Sequence, residues 1–480
     1  MSTPSHIAAR ALSNRSEPAR PDRRRRVLLT MCVGLFLVQL DLTAVNVALP
    51  SIRTGLGASV SGLEWVIGAY SLAFAGLLLA AGSIGDAIGH RRLLLAGLGV
   101  FAAGSAACAV AASTAALVAG RAVQGVGAAL LMPATLAVIA RTFPAAGERA
   151  RALAAWAGIS GLALPLGPLV GGALVQVADW HAIFWLNLPP LAAAVVAALR
   201  LLPNEPLRTR GLAARLDVPG QLLAAGTLVA LVYALIDGPS TGWDRPAVVA
   251  GLVLAAAGAV AFVVVERRGP APLLPLGLVR HRSFRAANGV AVLMTAAMIG
   301  SVFPLTLYLQ AVRGASPLLA GAELTPMFVT FIAATALSGR LVTAVGSRVL
   351  VAGGMLVAAG GIALFTRLTE VSGYPVLAAS LALLGLGLGV ATPPMVGAAL
   401  AGLPASQAGL AAGVNNTARQ VGPPLGVAVL GGIAGRPDGV HFIPGLHLAA
   451  VVAAVLFLAA ALLGSRLPGG RPRLPRAGVL

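Results

Sequence analysis

The stretch "FLVQLDLTAVNVALP" (residues 36–50) places an aspartate, Asp41, inside an otherwise apolar run that begins just after four arginines, Arg23 to Arg26. By helical rise alone, Asp41 lies about 20 Å beyond Arg26, deep within a hydrocarbon layer roughly 30 Å thick. A carboxylate at that depth costs roughly a few kcal/mol or more, so it marks a functional position by default. Gln39, Thr43 and Asn46 fall within about 60° of one another at helical spacing, with Asp41, Val45 and Ala48 opposite. A helix polar on two faces cannot turn either comfortably to lipid. One face is expected to bond to neighbouring helices while the other presents Asp41 to a central cavity, or the reverse.

The rest of the chain is of the same kind. Its 480 residues are 58% hydrophobic and 10% charged, with a mean hydropathy of +0.90. A soluble domain carries about a quarter charged residues, so the composition is that of an integral membrane protein. The net charge of +19 does not point to nucleic acid. Every basic residue is Arg, and most lie in short links between apolar runs rather than on one stripe. Cys32 and Cys108 both fall in apolar runs, which argues against a disulfide framework or a cysteine metal site. The first apolar run is too long for a signal peptide and is expected to be the first transmembrane helix.

Runs of about twenty apolar residues recur along the chain, and fourteen are expected. Alternate connections carry the arginines: Arg91/Arg92, Arg141/Arg149/Arg151, Arg200/Arg208/Arg210/Arg215, Arg267 to Arg285, and Arg340/Arg348. By the positive-inside rule both termini are then cytoplasmic. The expected organisation is an Arg-rich tail (1–26), a six-helix half (27–202), two inserted helices with linkers (203–287), a second six-helix half (288–465) and a tail (466–480). An internal repeat supports the two halves. Gly82, Gly89 and Arg91 match Gly339, Gly346 and Arg348 at one constant offset, and Gly167-Pro168 matches Gly422-Pro423 at nearly the same one. Two six-helix halves with a substrate site between them are a recurrent transporter design.

Several motifs are recognisable. "LDLTAVNVALP" opens the set, followed by "GSIGDAIGHRR" at 82–92, "RAVQGVGAAL" from Arg121, "GISGLALPLGPLVGG" at 158–172, "DWHAIFWLNLPP" and "NNTARQVGPPLG". With these the chain resembles the major facilitator superfamily, in its fourteen-helix drug:proton antiporter branch. "ALIDGPSTGW" and "AGAELTP" are similar to the methylenomycin-resistance type within that branch. The resemblance implies an all-α membrane protein of the major-facilitator fold, with fourteen helices in two six-helix halves plus two inserted ones. It also implies proton-coupled efflux of amphipathic antibiotics or other small toxic compounds. No cofactor is expected, the proton gradient being the driving force. The expected setting is a bacterial cytoplasmic membrane, the expected form a monomer, and the partners are substrate, protons and lipid, with no nucleic acid.

Residues follow from both readings. Asp41, Arg121 and Glu323 are expected in proton coupling, and Asp41, Gln39, Asn46 and Gln124 in the substrate cavity. A guanidinium is not deprotonated in practice, so Arg121 must face a partner or water. Glu323 is open to binding a cation, taking a proton or reaching the outer interface, and Glu64 reads as interfacial. Gly82, Asp86, Gly89 and Arg91 form a gating loop by resemblance, although Gly85, Ala87 and His90 depart from the family pattern. A solvated turn is the plainer reading of Asp86. Gly161, Gly167, Pro168, Gly171 and Gly172 form the antiporter motif, whose small residues admit a second helix closely. In the second half Asn416, Arg419 and Gln420 are either transport residues or structural glue. Proton-driven uptake of a metabolite shares the fold, and a non-transporting sensor is a further alternative. An enzyme is not expected, since there is no HExxH, no GxSxG with partners and no pair of catalytic acids.

Overall fold

The computed structural model describes residues 21–205, 217–269, 272, 274, 276–401, 403–404 and 407–468. The expectations for residues 1–20, for Arg208, Arg210 and Arg215, and for 469–480 lie outside the described residues. Fourteen long helices are present among them. The first six are α1 (Pro21–Leu56), α2 (Val60–Ile88), α3 (His90–Ala109), α4 (Thr114–Thr142), α5 (Ala146–Val177) and α6 (His181–Leu201). Next come α7 (Val218–Thr241) and α8 (Pro246–Arg268), and after a short helix, Leu276–Arg280, α9 (Arg282–Leu307). The last five are α10 (Pro317–Val345), α11 (Ser347–Ala363), α12 (Tyr374–Leu400), α13 (Ala408–Ala434) and α14 (Phe442–Gly464).

Thirteen of these are long and apolar enough to cross a membrane. The other, α13, carries Asn415, Asn416, Arg419 and Gln420. The helix starts are written locally. Ser59, Ser113, Asp217 and Ser316 each accept a hydrogen bond from the amide three residues on, which satisfies a donor the helix itself leaves free. One boundary differs from expectation. α1 begins at Pro21, so Arg23 to Arg26 form its opening turns rather than a tail. Arg23 caps α6 by donating to the Leu201 carbonyl at 2.8 Å, and Arg24 pairs with Glu148 at 3.2 Å.

The repeat is visible in the packing. Within the first half α1 lies on α5, α2 on α4 and α3 on α4; within the second, α9 lies on α13, α10 on α12 and α11 on α12. Gly89 and Gly346 have φ of 93° and 84° and each ends one helix and begins the next. That backbone is strained for any residue with a Cβ, which is why both halves place glycine there.

Two seams join the halves. Along one, α2 runs antiparallel to α13, from Glu64 beside Gly431, through Gly68 opposite Pro424, to Leu79 beside Gly413. The inserted α7 lies over this seam, its Val232 and Ile236 packing with Leu72 of α2 and Ala428 of α13, while α8 rests on α7. Along the other seam, α5 meets α10 chiefly through Pro317–Glu323, at the end away from the described N-terminus. Gln310, on a π-helical turn after α9 (Tyr308–Val312), donates to the Val47 carbonyl of α1 at 2.7 Å. Arg53 pairs with Asp438 at 3.1 Å in the same region. The halves therefore close on one another at the end far from the termini.

Candidate functional site

Asp41 sits at the centre of a polar cluster inside the first half. Its Oδ2 accepts from Arg121 Nη1, and its Oδ1 accepts from Gln124 Nε2 at 3.1 Å and Asn187 Nδ2 at 2.9 Å. Gln124 donates also to Ser105 Oγ at 2.8 Å, and its Oε1 accepts from Arg121 at 2.8 Å. Arg121 Nε donates to the Val66 carbonyl at 3.3 Å, and its guanidinium lies 4.4 Å from the centre of the Tyr70 ring. Asp41, Arg121 and Asn187 are each 1% exposed and Gln124 is 0% exposed. The cluster thus ties α1, α2, α3, α4 and α6 together.

Small residues make this closeness possible. A Cβ on Gly104 would meet the Gln124 backbone nitrogen at 2.6 Å, and one on Gly120 would meet Cys108 Sγ at 2.6 Å. The approach of α3 to α4 brings Ser105 within reach of Gln124. Chemically the arrangement is an ion pair in which both oxygens of the acid accept hydrogen bonds. Three donors compensate a carboxylate in a medium where an isolated charge is prohibitive. Protonating Asp41 would remove the anion and leave Arg121 without its counter-charge.

Of the two orientations open for α1, the structure adopts the one with Asp41 turned into its own half. Asp41 and Gln124, expected on the substrate cavity, are enclosed in this conformation. The opposite face of α1 carries the other polar group. Gln39 is half-buried, Thr43 lies against Gly167 of α5, and Asn46 donates to the Leu42 carbonyl at 3.1 Å with its Oδ1 unpartnered.

Glu323 belongs to a different place. It pairs with Arg313 through both oxygens, at 3.1 and 2.9 Å, at the break in α10, and does not join the Asp41 cluster. Glu64, read as interfacial, is 1% exposed.

The antiporter motif divides by face. Gly167 and Gly171 accommodate α1, at Thr43 and Ala44, whereas Gly172 accommodates the Pro317 carbonyl and the Pro168 carbonyl accommodates Gly321 of α10. A Cβ on Gly161 would meet nothing within 4 Å. α5 is thus held between its own half and the other one. In the second-half motif, Asn415 rather than Asn416 is buried, and it donates to Asn288 Oδ1 of α9 at 3.2 Å. Asn416, Arg419 and Gln420 are half-buried, and no hydrogen bond or ion pair reaches Arg419 among the described residues.

The loop expected to act in gating packs around Glu205. Its Oε2 accepts from the His90 amide at 3.3 Å and pairs with Arg141 at 2.5 Å, beside Gly89. Burial pushes the Glu205 carboxyl up, but the Arg141 hydrogen bond and charge and the amides of His90 and Arg91 hold it below the ordinary carboxylate value. Arg91 donates to the Leu199 carbonyl at 3.2 Å, Asp86 is exposed beside His90 at 3.4 Å, and Gly82 has open space. Asn187, Ser105, Glu205, Arg313 and Asn288 were not singled out from sequence. Asn187 stands in the "DWHAIFWLNLPP" motif as a polar residue in an apolar run, and that was its signal.

Two packed six-helix halves with a buried ion pair in one of them define a secondary transporter. The family model of the Major Facilitator Superfamily matches residues 31–427 and 288–478, and the chain belongs to that superfamily. It is 36% identical over 406 residues to a methylenomycin A resistance protein of Bacillus subtilis, covering 84% of this chain and 86% of that one. It is 41% identical over 416 residues to a puromycin resistance protein of Streptomyces alboniger (85% and 82%). Among solved structures, a peptide transporter in complex with sulfate shares the fold, with a TM-score of 0.67 at 18% identity, over 93% of this chain and 96% of that one.

Proposed function

We propose that the chain is a proton-coupled exporter that moves amphipathic antibiotics or similar small toxic compounds out of the cell by alternating access. The superfamily membership and the resistance proteins among its relatives support export of a small molecule. The observation that carries the coupling is the Asp41–Arg121 pair, sealed inside the first half and braced by Gln124 and Asn187. Proton uptake by Asp41 dissolves the pair and frees Arg121 and Gln124 to re-pair, so proton binding changes how the five helices they join are held together. Asp41, Arg121 and Gln124 act in coupling on this reading. Gln39, Asn46, Asn416, Arg419 and Gln420 supply polar groups toward the substrate path. Glu323, paired with Arg313 within the second half, acts at the far end. Gly82, Asp86, Gly89 and Arg91 set the loop at the other end, and Gly161 to Gly172 let α5 slide against α10.

The protein works as a monomer in the bacterial cytoplasmic membrane with both termini inside, as its arginine distribution indicates. Closure at the far end then makes this an inward-facing conformation.

The test uses everted vesicles with an acid interior, with puromycin or a fluorescent cationic dye as the compound. Accumulation that a protonophore abolishes, and that Asp41→Asn removes, is the expected outcome. Transport by Asp41→Asn at the wild-type rate, or no movement of any compound tried, overturns the coupled-export reading.

A further inference from the structure

Glu64 is the buried acid that the Asp41 cluster does not use. It lies on α2 near the far end, 1% exposed, and its Oε1 is enclosed with no hydrogen-bond partner. That oxygen lies directly against Gly431 of α13, in the other half, where a Cβ would run into it and would also meet the Phe303 ring of α9 at 2.9 Å. The carboxyl therefore sits in the seam between the halves.

Its surroundings offer no compensation. Neither α13 from 421 to 434 nor α9 from 295 to 307 carries a titratable or charged residue. From α7 comes Asp237, a like charge, with Tyr233 beside it. From α4 comes Arg121, already committed to Asp41, Gln124 and the Val66 carbonyl. At the adjoining end of α1, Arg53 is paired with Asp438. An ionised carboxylate with an oxygen enclosed in such a place is penalised by desolvation, whereas a neutral carboxylic acid loses far less.

We propose that Glu64 is a proton-binding site built into the interface between the halves, and that the far end closes only when this carboxyl is protonated. Opening the far end hydrates Glu64, which ionises; closing it expels water and requires the proton back. With one proton linked to closure, the closed-to-open ratio rises up to tenfold for each unit of acidification above the hydrated carboxyl's value. This inference rests on the export reading for its direction. A proton arriving from outside after the compound has left is what permits return to the conformation seen here.

The experiment measures closure itself. Spin labels at Thr54→Cys and Val440→Cys, both exposed and on opposite halves at the far end, report distance by pulsed electron resonance; the two native cysteines are buried. Wild-type protein is expected to shift toward the short distance as pH falls. Glu64→Gln should stay short at every pH, and Glu64→Asp should keep a pH dependence. As a second measurement, the infrared band of a neutral carboxyl in the closed form should be absent from Glu64→Gln. A Glu64→Gln profile that follows pH as wild type does, or no such band in wild type, overturns the proposal even if vesicle transport succeeds. Failure of vesicle transport with Glu64-dependent closure intact would instead count against export alone.

Discussion

Gly167 and Gly422 occupy matched positions in the two halves: a Cβ on either would run into a threonine hydroxyl, that of Thr43 or that of Thr295, and would meet a carbonyl, that of Leu40 at 2.9 Å or that of Val292 at 2.5 Å. One side-chain methyl at either site would collide with a neighbouring helix. Gly167→Val and Gly422→Val are each expected to destabilise the protein by about 1–3 kcal/mol, the usual range for overpacking. Gly161→Ala, facing open space inside α5, should not lower the thermal unfolding midpoint in detergent and should raise it slightly.

The Asp41–Arg121 pair gives a sharper expectation. Removing one partner of a buried pair leaves the other charge stranded, at about 3–5 kcal/mol, whereas replacing both by apolar residues often costs little. Asp41→Ala and Arg121→Ala should each lower the unfolding midpoint steeply. Asp41→Leu with Arg121→Met should lower it by much less than their sum, and strict additivity in that cycle would show that the pair is not energetically coupled.

Glu205 sets a pH dependence for the loop at the terminal end. Its carboxyl is held below the ordinary value, so its contribution is fully present above that value and is lost as pH falls through the depressed one. Amide exchange at His90 and Arg91, corrected for intrinsic rate, should accelerate only in that acidic window. Glu205→Gln should abolish the pH step and leave the amides less protected throughout.

Gly89 and Gly346 test the repeat. Gly346→Ala should cost about 1–3 kcal/mol for the positive-φ, extended-ψ backbone alone. Gly89→Ala should cost more, because its Cβ would also meet Glu205 Cβ at 2.9 Å. Equal costs in a denaturant titration would mean that Glu205 moves aside freely.

Much of this was legible from sequence, for physical reasons. Period and length mark membrane helices strongly, so the long helices and the two halves could be read directly. Arginines in alternate connections and glycines at one offset are one-dimensional signals. The two polar faces of α1 were equally legible, but helical geometry alone does not say which face meets which neighbour. Asp41 turned inward because Ser105, Gln124 and Asn187 from three other helices converge there, and that convergence belongs to tertiary packing. Glu64 read as interfacial for the same reason. Its position along α2 was visible, while the α13 backbone covering it was not. Arg23 and Arg24 looked like tail residues, since their acceptors, Leu201 and Glu148, lie far along the chain.

The inserted helix α7 makes the two seams unequal. It lies across α2 and α13 like a splint, with Ala225 near Gly76, Val232 and Ile236 beside Gly68, and Pro239 on Gly432. The opposite seam, between α5 and α10, has no such brace among the described residues and is joined mainly at one end. A rocking motion that keeps α7 seated must pivot about the splinted edge, as a book turns on its spine. The gap then widens mostly on the α5/α10 side, and a bulky amphipathic guest has one broad doorway rather than two narrow ones.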